Sequence, residues 1–303
     1  MVKTIKKEEA NAFLEMLPEY HKFMSNGVNV RNSLLTRIFG MYSVQFLSDE
    51  ENKSTAGDDR WDGGLYSPSN QHEQATTTDL ADDERVYLVM HSVFPPAASS
   101  FITERFDLKG STVGRKCSIE ERQSKGANAV LKDLDLMKEV EEELNEAKSC
   151  RDTQKKRRRN KSSHHGICIG KRSKSRLMTQ LERDVDLLHR CNVLDYSLLV
   201  GVADMELSQG TNLFNWLNFP MPYFGAGMTT VDGGALSALP GTRRGKHVMY
   251  FLGVIDFLQP WTVKKRLERD LKGLAGYDKT AISCVAPADY ASRFLNFCNT
   301  HVT

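Results

Sequence analysis

This sequence lacks paired cysteines. Its six, at 117, 150, 168, 191, 284 and 298, form no Cys-x-x-Cys pair, and no Cys/His spacing suits a tetrahedral zinc ion. The nearest approach, His164-His165 with Cys168, lies in a basic polar stretch and reads as coincidence. The chain also has no apolar run long enough to cross a bilayer and no signal peptide, so any membrane contact must be peripheral and a reducing, cytosolic setting is the default. Internal repeats are missing, which excludes a solenoid. Net charge is nearly absent as well: +2 over 303 residues, a total that selects no class of partner.

The charge is uneven along the chain. Residues 139–146 carry five glutamates and residues 155–161 carry six positive charges in seven positions. The basic run reads as a second electrostatic membrane contact, as a nuclear localisation patch, or as a solvated insert; composition alone leaves these open. With 40 % hydrophobic residues, the chain has enough apolar material for one large domain or two lobes around a shared cleft.

Periodicity predicts a helix over 7–22, with Ala12, Phe13, Met16, Leu17 and Tyr20 as its apolar stripe and Pro18 as a kink or stop. Short buried strands are expected near 38–44 and 86–93, and a helix start at 130–137. A convincing helix runs from Arg176 to Cys191, because Leu177, Leu181, Val185 and Leu188 share one face. The run 248–255 is the best strand, a basic helix is expected over 263–274, and a last helix over 288–301. Segments 48–84, 138–175 and 204–246 read as polar inserts, the first of them disordered.

Chemistry concentrates in three places. Asp107-Leu108-Lys109-Gly110-Ser111-Thr112-Val113-Gly114-Arg115 packs an acid, bases, two glycines and two hydroxyls into nine residues. Such a segment offers donors, charge and close backbone access, which phosphate handling needs. Asp195 and Asp256 each interrupt strongly apolar runs, where a carboxylate is costly unless it is paired, hydrogen-bonded or bound to a cation. They read either as capping residues or as a catalytic pair. Lys3 sits alone in the short apolar strand Val2-Lys3-Thr4-Ile5, and Glu8, Glu9 and Glu15 are the candidate partners on the helix that follows.

Taken in order, Met16-Leu17-Pro18-Glu19-Tyr20-His21, Phe39-Gly40-Met41-Tyr42, residues 106–115, Leu131-Lys132-Asp133-Leu134-Asp135, Leu194-Asp195-Tyr196-Ser197-Leu198-Leu199-Val200-Gly201, Gly253-Val254-Ile255-Asp256 and Tyr290-Ala291-Ser292-Arg293-Phe294 resemble the phosphatidylinositol phosphate kinases over nearly the whole chain. The resemblance implies an α+β, two-lobed lipid-kinase fold, distantly like protein kinases, with residues 1–94 as a partial N-terminal lobe and 95–303 as the catalytic lobe. It implies ATP and Mg²⁺ as cofactors, Lys3 on the ATP phosphates, a hinge for adenine near Met90 to Val93, Asp256 as the Mg²⁺ ligand, Asp195 as the acid/base beside the attacking hydroxyl, and Lys109 near the transferred phosphate or the substrate. The Leu131–Asp135 element matches the family but suggests no role. The His-Arg-Asp and Asp-Phe-Gly motifs of protein kinases are absent, which disfavours a protein substrate.

The same resemblance implies that the segment after Asp256 meets the membrane. Lys264, Lys265 and Arg266 would favour an anionic bilayer by roughly 1 kcal/mol each. Glu268 stands where members acting on the 5-hydroxyl of phosphatidylinositol 4-phosphate carry Glu, so the expected product is phosphatidylinositol 4,5-bisphosphate. The expected location is cytoplasmic and peripheral, at the plasma membrane, with a nuclear pool allowed by the basic run. One departure stands out. The family's Gly-rich loop and first strands precede the Lys, and this chain starts two residues before Lys3. It is therefore read as a piece of a longer kinase; the alternative is a short, catalytically weak phosphoinositide-binding scaffold.

Overall fold

A helix and three strands build the first layer. Strand β1 (Val2–Ile5) leads into helix α1 (Lys7–Met24), whose first turn is acidic at Glu8 and Glu9 and whose last turn is basic at His21 and Lys22, matching the helix dipole. The Lys6 N–H, free at the helix start, donates to the Glu9 carboxylate at 3.0 Å. Ala10, Phe13, Met16 and Tyr20 line the buried face. Pro18 neither ends nor replaces this helix, which runs six residues past it. Leu14, four residues before it, is 49 % exposed, so water can take the carbonyl that proline leaves unbonded. Strands β2 (Ile38–Gln45) and β3 (Glu84–Met90) complete an antiparallel sheet of order β1-β3-β2. Strand β1 is at the edge of this sheet, with Val2 in solvent and Ile5 turned into the core.

The structure, a computed structural model, describes residues 1–45, 84–153, 166–205, 237–262, 265, 267 and 285–303. The expected disordered insert 48–84, apart from Glu84, and the basic run 155–161 lie outside them, as does the expected basic helix 263–274 apart from residues 265 and 267.

The second layer is a five-stranded sheet of order β5-β4-β7-β9-β8, formed by β4 (Ile102–Leu108), β5 (Val130–Lys132), β7 (Ser197–Asp204), β8 (Ala238–Arg243) and β9 (Lys246–Ile255). All its pairings are antiparallel except β4 with β5. Short helices α2 (Asn29–Asn32), α3 (Pro96–Ser99) and α4 (Ile119–Lys125) lie in the connections, and the long helices α6 (Lys171–Arg190) and α7 (Pro287–His301) pack on each other. Leu177, Leu181, Val185, Leu188, Tyr290 and Phe294 share one core with Phe106, Leu198, Val200, Leu252 and Val254. Each such fully buried side chain contributes about 1.5–3 kcal/mol. A pair of two-residue strands, β6 (Val193–Leu194) and β10 (Gln259–Pro260), closes the edge beside α1.

Two inserts are shorter than the sequence suggests. Residues 138–153 continue helix α5 (Asp133–Thr153), and residues 238–246 form β8 and the start of β9. A further difference is at 130–132, which is a strand preceding α5 rather than the start of a helix. Arg243, 6 % exposed, explains part of the shortening of the inserts: it bridges Glu104 of β4 and Glu139 of α5, so acidic and basic residues that look solvated in sequence meet in a partly buried cluster of three.

The two layers meet through residues 33–37. Leu35 bridges Val254 of β9, the Val254 N–H donates to the Leu34 carbonyl at 2.6 Å, and the Thr36 N–H donates to the Val254 carbonyl at 3.0 Å. Val93 packs so tightly on Gly253 that a Cβ there would lie 2.6 Å from it.

Candidate active site

Both acids stand at the same end of the large sheet. Ser197 of β7 pairs with Ile255 of β9, so Asp195, two residues before the first, and Asp256, one residue after the second, flank a common strand end. Each adopts a left-handed backbone, with φ 65° at Asp195 and 59° at Asp256, a conformation that Asp tolerates better than most residues. The turn lifts each carboxylate out of the apolar strand. The side chains are 31 % and 48 % exposed, so the expectation of two buried acids is corrected in part: Asp256 is exposed, while Asp195 is half-buried and keeps its Oδ1 out of solvent.

Two lysines from distant segments meet these acids. Lys3 Nζ lies 2.6 Å from Asp256 Oδ1, reaching from the small sheet to the end of β9. Its observed partner is therefore not Glu8, Glu9 or Glu15; Glu9 is engaged with the Lys6 backbone. Lys109 Nζ lies 2.8 Å from Asp195 Oδ1, at ion-pair distance but without hydrogen-bond alignment. Four sequence-predicted residues, separated by up to 253 positions, thus form two adjacent ion pairs.

The signature loop that carries Lys109 closes around a residue without a sequence-predicted role. Asp133, 0 % exposed, accepts from the N–H groups of Lys109 and Gly110 and from Arg115 Nε. Burial pulls Arg115 down, but Asp107 and Asp133 outweigh it and hold the guanidinium above its ordinary value. Gly110 needs its left-handed φ of 72° and its missing Cβ, because it abuts the Arg293 carbonyl and Phe297 of α7. The Tyr290 hydroxyl donates to the Tyr196 carbonyl, anchoring the turn after Asp195 to the same helix, and burial pushes that phenol far up.

Met90 contributes to the core, and its backbone N–H and carbonyl are both paired with Met1. A pocket near the layer junction is lined by Thr36, Arg37, His91, Val93 and Gly253, and it includes none of the two ion pairs. Burial lowers the His91 pKa, with Arg37 acting in the same direction. Lys264, Arg266 and Glu268 lie outside the described residues; Lys265 is half-buried.

Comparison with known proteins decides the family. A profile described as phosphatidylinositol-4-phosphate 5-kinase matches residues 1–215 and 229–301. The chain belongs to the phosphatidylinositol-4-phosphate 5-kinase family. Among relatives of this family, a type-1 beta phosphatidylinositol 4-phosphate 5-kinase of Gallus gallus is 26 % identical over 325 residues, covering 100 % of this chain and 48 % of the relative. A phosphatidylinositol 4-phosphate 5-kinase of Plasmodium falciparum is 26 % identical over 314 residues, covering 100 % of this chain and 14 % of the relative. A human phosphatidylinositol 5-phosphate 4-kinase type-2 beta is 25 % identical over 337 residues, covering 100 % and 65 %. The chain thus spans about half the length of the type-1 beta relative and far less of the parasite protein. Its mixed helix and strand content agrees with the α+β expectation for the family.

Among the described residues, no three His, Cys, Asp or Glu side chains gather as a metal centre, and no helix is long and apolar enough to cross a membrane. Mg²⁺ needs less than such a centre when phosphates share its coordination: one or two carboxylates and several waters suffice. The half-exposed, hard oxygen donors of Asp256 fit that requirement.

Proposed function

We propose that this chain is the catalytic part of a lipid kinase that transfers the ATP γ-phosphate to an inositol hydroxyl, with phosphatidylinositol 4-phosphate as the substrate, at an anionic membrane surface. The observation that carries this reading is the adjacent pairing of Lys3 with Asp256 and of Lys109 with Asp195. Phosphoryl transfer is chiefly positioning and charge neutralisation, and it needs cations around the phosphates plus one carboxylate at the nucleophile.

In this reading Asp195 orients the ring hydroxyl and takes up its proton as the oxygen bonds to the γ-phosphorus. The bond from that phosphorus to the β,γ-bridging oxygen breaks, and its electron pair leaves with ADP. Lys109 and Lys3 exchange their carboxylate partners for phosphate oxygens, Lys109 at the transferred group and Lys3 on the nucleotide. Asp256, released from Lys3, would hold Mg²⁺, which supplies charge neutralisation across the phosphates. Within the expected hinge at 90–93, residues 92–93 would contact adenine, since the N–H groups of Met90 and His91 are engaged with Met1 and Arg37. The segment 264–266 would rest on anionic lipid.

The test is a transfer assay with Mg·ATP and vesicles of phosphatidylserine containing phosphatidylinositol 4-phosphate. The wild-type chain is expected to make the bisphosphate, and Asp195→Asn and Asp256→Asn are each expected to lose at least about a hundredfold in rate. Salt-sensitive vesicle binding by wild type with no turnover would instead support the scaffold alternative.

A further inference from the structure

The Leu131–Asp135 element carries two buried carboxylates, and the mechanism uses neither. They divide the work of holding the signature loop. Asp133 Oδ1 accepts the N–H groups of Lys109 at 2.9 Å and Gly110 at 2.6 Å, while Oδ2 accepts Arg115 Nε at 2.7 Å. Asp135 Oδ2 accepts the N–H groups of Cys117 and Lys132, and its Oδ1 takes Arg122. Both side chains are almost fully buried, at 0 % and 4 % exposure. Only Asp133 touches the backbone of the residue whose ammonium reaches Asp195.

We propose that Asp133 is a positioning residue for the transfer: by gripping the Lys109–Gly110 backbone it sets where the Lys109 ammonium lies against Asp195. The proposal rests on the reading of Lys109 and Asp195 as parts of the transfer site. Its physical basis is that two convergent N–H donors on one carboxylate oxygen fix the two peptide planes that flank the Lys109 Cα, and therefore the direction of the Lys109 Cα–Cβ bond. The Gly110 conformation and its contact with α7 pin the far end of the second of these peptides. The long lysine stem would otherwise sweep a wide volume, and misplacement of a charged group by about 1 Å costs up to about a hundredfold in rate.

The experiment compares wild type, Asp133→Asn and Asp135→Asn in the full chain by three measurements. These are kcat and the KM for ATP on phosphatidylserine vesicles holding phosphatidylinositol 4-phosphate, the thermal midpoint, and the extent of Lys109 acylation by an amine-reactive ester read by mass spectrometry. Asp133→Asn is expected to lower kcat by about tenfold to a hundredfold, to leave KM for ATP within about twofold, and to raise Lys109 acylation several-fold. Asp135→Asn, with a comparable loss of thermal midpoint, is expected to leave kcat and Lys109 acylation near wild type. If kcat and acylation simply follow the thermal midpoint in both variants, or if Asp133→Asn leaves acylation unchanged, the positioning role is overturned. A wild-type chain that transfers no phosphate refutes the kinase reading, and the acylation comparison then decides the Lys109 placement by itself. Should Asp133→Asn fail to fold, Asp133→Glu replaces it. That variant keeps a carboxylate for Arg115 but shifts the oxygen that holds the Lys109 and Gly110 N–H groups, and unchanged acylation and kcat there also overturn the proposal.

Discussion

Replacing Asp184 by Asn tests how the two layers are joined. Asp184, on α6, is 0 % exposed. Its Oδ2 accepts the Leu34 N–H at 2.7 Å and its Oδ1 accepts Gln180 Nε2 at 2.9 Å. Leu34 in turn accepts the Val254 N–H, two residues before Asp256. Burial pushes the Asp184 carboxyl up from 3.8 to about 7, against the pull of the Gln180 amide, the Leu34 and Leu35 N–H groups and the Ser33 hydroxyl. The other titratable group facing it is Tyr20, which burial also raises, with Asp184 adding to the rise and Arg37 opposing it.

The sign follows from proton counting. Between pH 4 and 7 the folded protein keeps a proton on Asp184 that the unfolded chain has lost, so stability falls as pH rises through this window and levels off above it. The gap between 3.8 and about 7 corresponds to on the order of 4 kcal/mol. Asp184→Asn cannot titrate. The measurement is urea unfolding of wild type and Asp184→Asn, followed by circular dichroism at pH 4, 5, 6, 7 and 8. The wild type is expected to lose stability relative to Asp184→Asn as pH rises, by several kcal/mol in total. Parallel stability profiles would refute the argument, because they would mean that the hydrogen bonds fully offset the cost of burying the charge.

Further expectations concern the loop and the membrane face. Gly110→Ala must place a Cβ at 3.1 Å from the Arg293 carbonyl oxygen in a left-handed backbone, so a loss of about 1–3 kcal/mol is expected, read as a lower thermal midpoint; an unshifted midpoint would contradict the close packing against α7. Lys264→Glu with Lys265→Glu is expected to weaken sedimentation with phosphatidylserine vesicles while leaving ATP affinity intact, and unaltered sedimentation would remove the membrane role. Glu268→Ala is expected to shift preference towards phosphatidylinositol 5-phosphate, measured as the ratio of initial rates on the two lipids; a constant ratio counts against the 5-kinase assignment.

Local pattern made much of this protein legible. The stripe Leu177, Leu181, Val185 and Leu188 defines α6 because helical spacing and burial coincide there, and the apolar run ending at Asp256 marks β9 in the same way. The order of short motifs pointed to the family, and Lys3, Lys109, Asp195 and Asp256 were readable as chemistry-bearing residues because each is a charge set in an apolar or glycine-rich frame. Tertiary structure alone decided which charges meet. Lys3 pairs with a carboxylate 253 positions away, not with one on the next helix, because the 33–37 segment docks the small sheet against β9. It also decided that both acids turn out of their apolar strands, since a left-handed turn is a property of the folded backbone and leaves no mark in hydropathy. The three residues of β5 are too few to announce a strand; they become one by pairing with β4. Asp133 was visible as a residue but not as a clamp, because its partners are backbone N–H groups, which every sequence has and only a fold can aim.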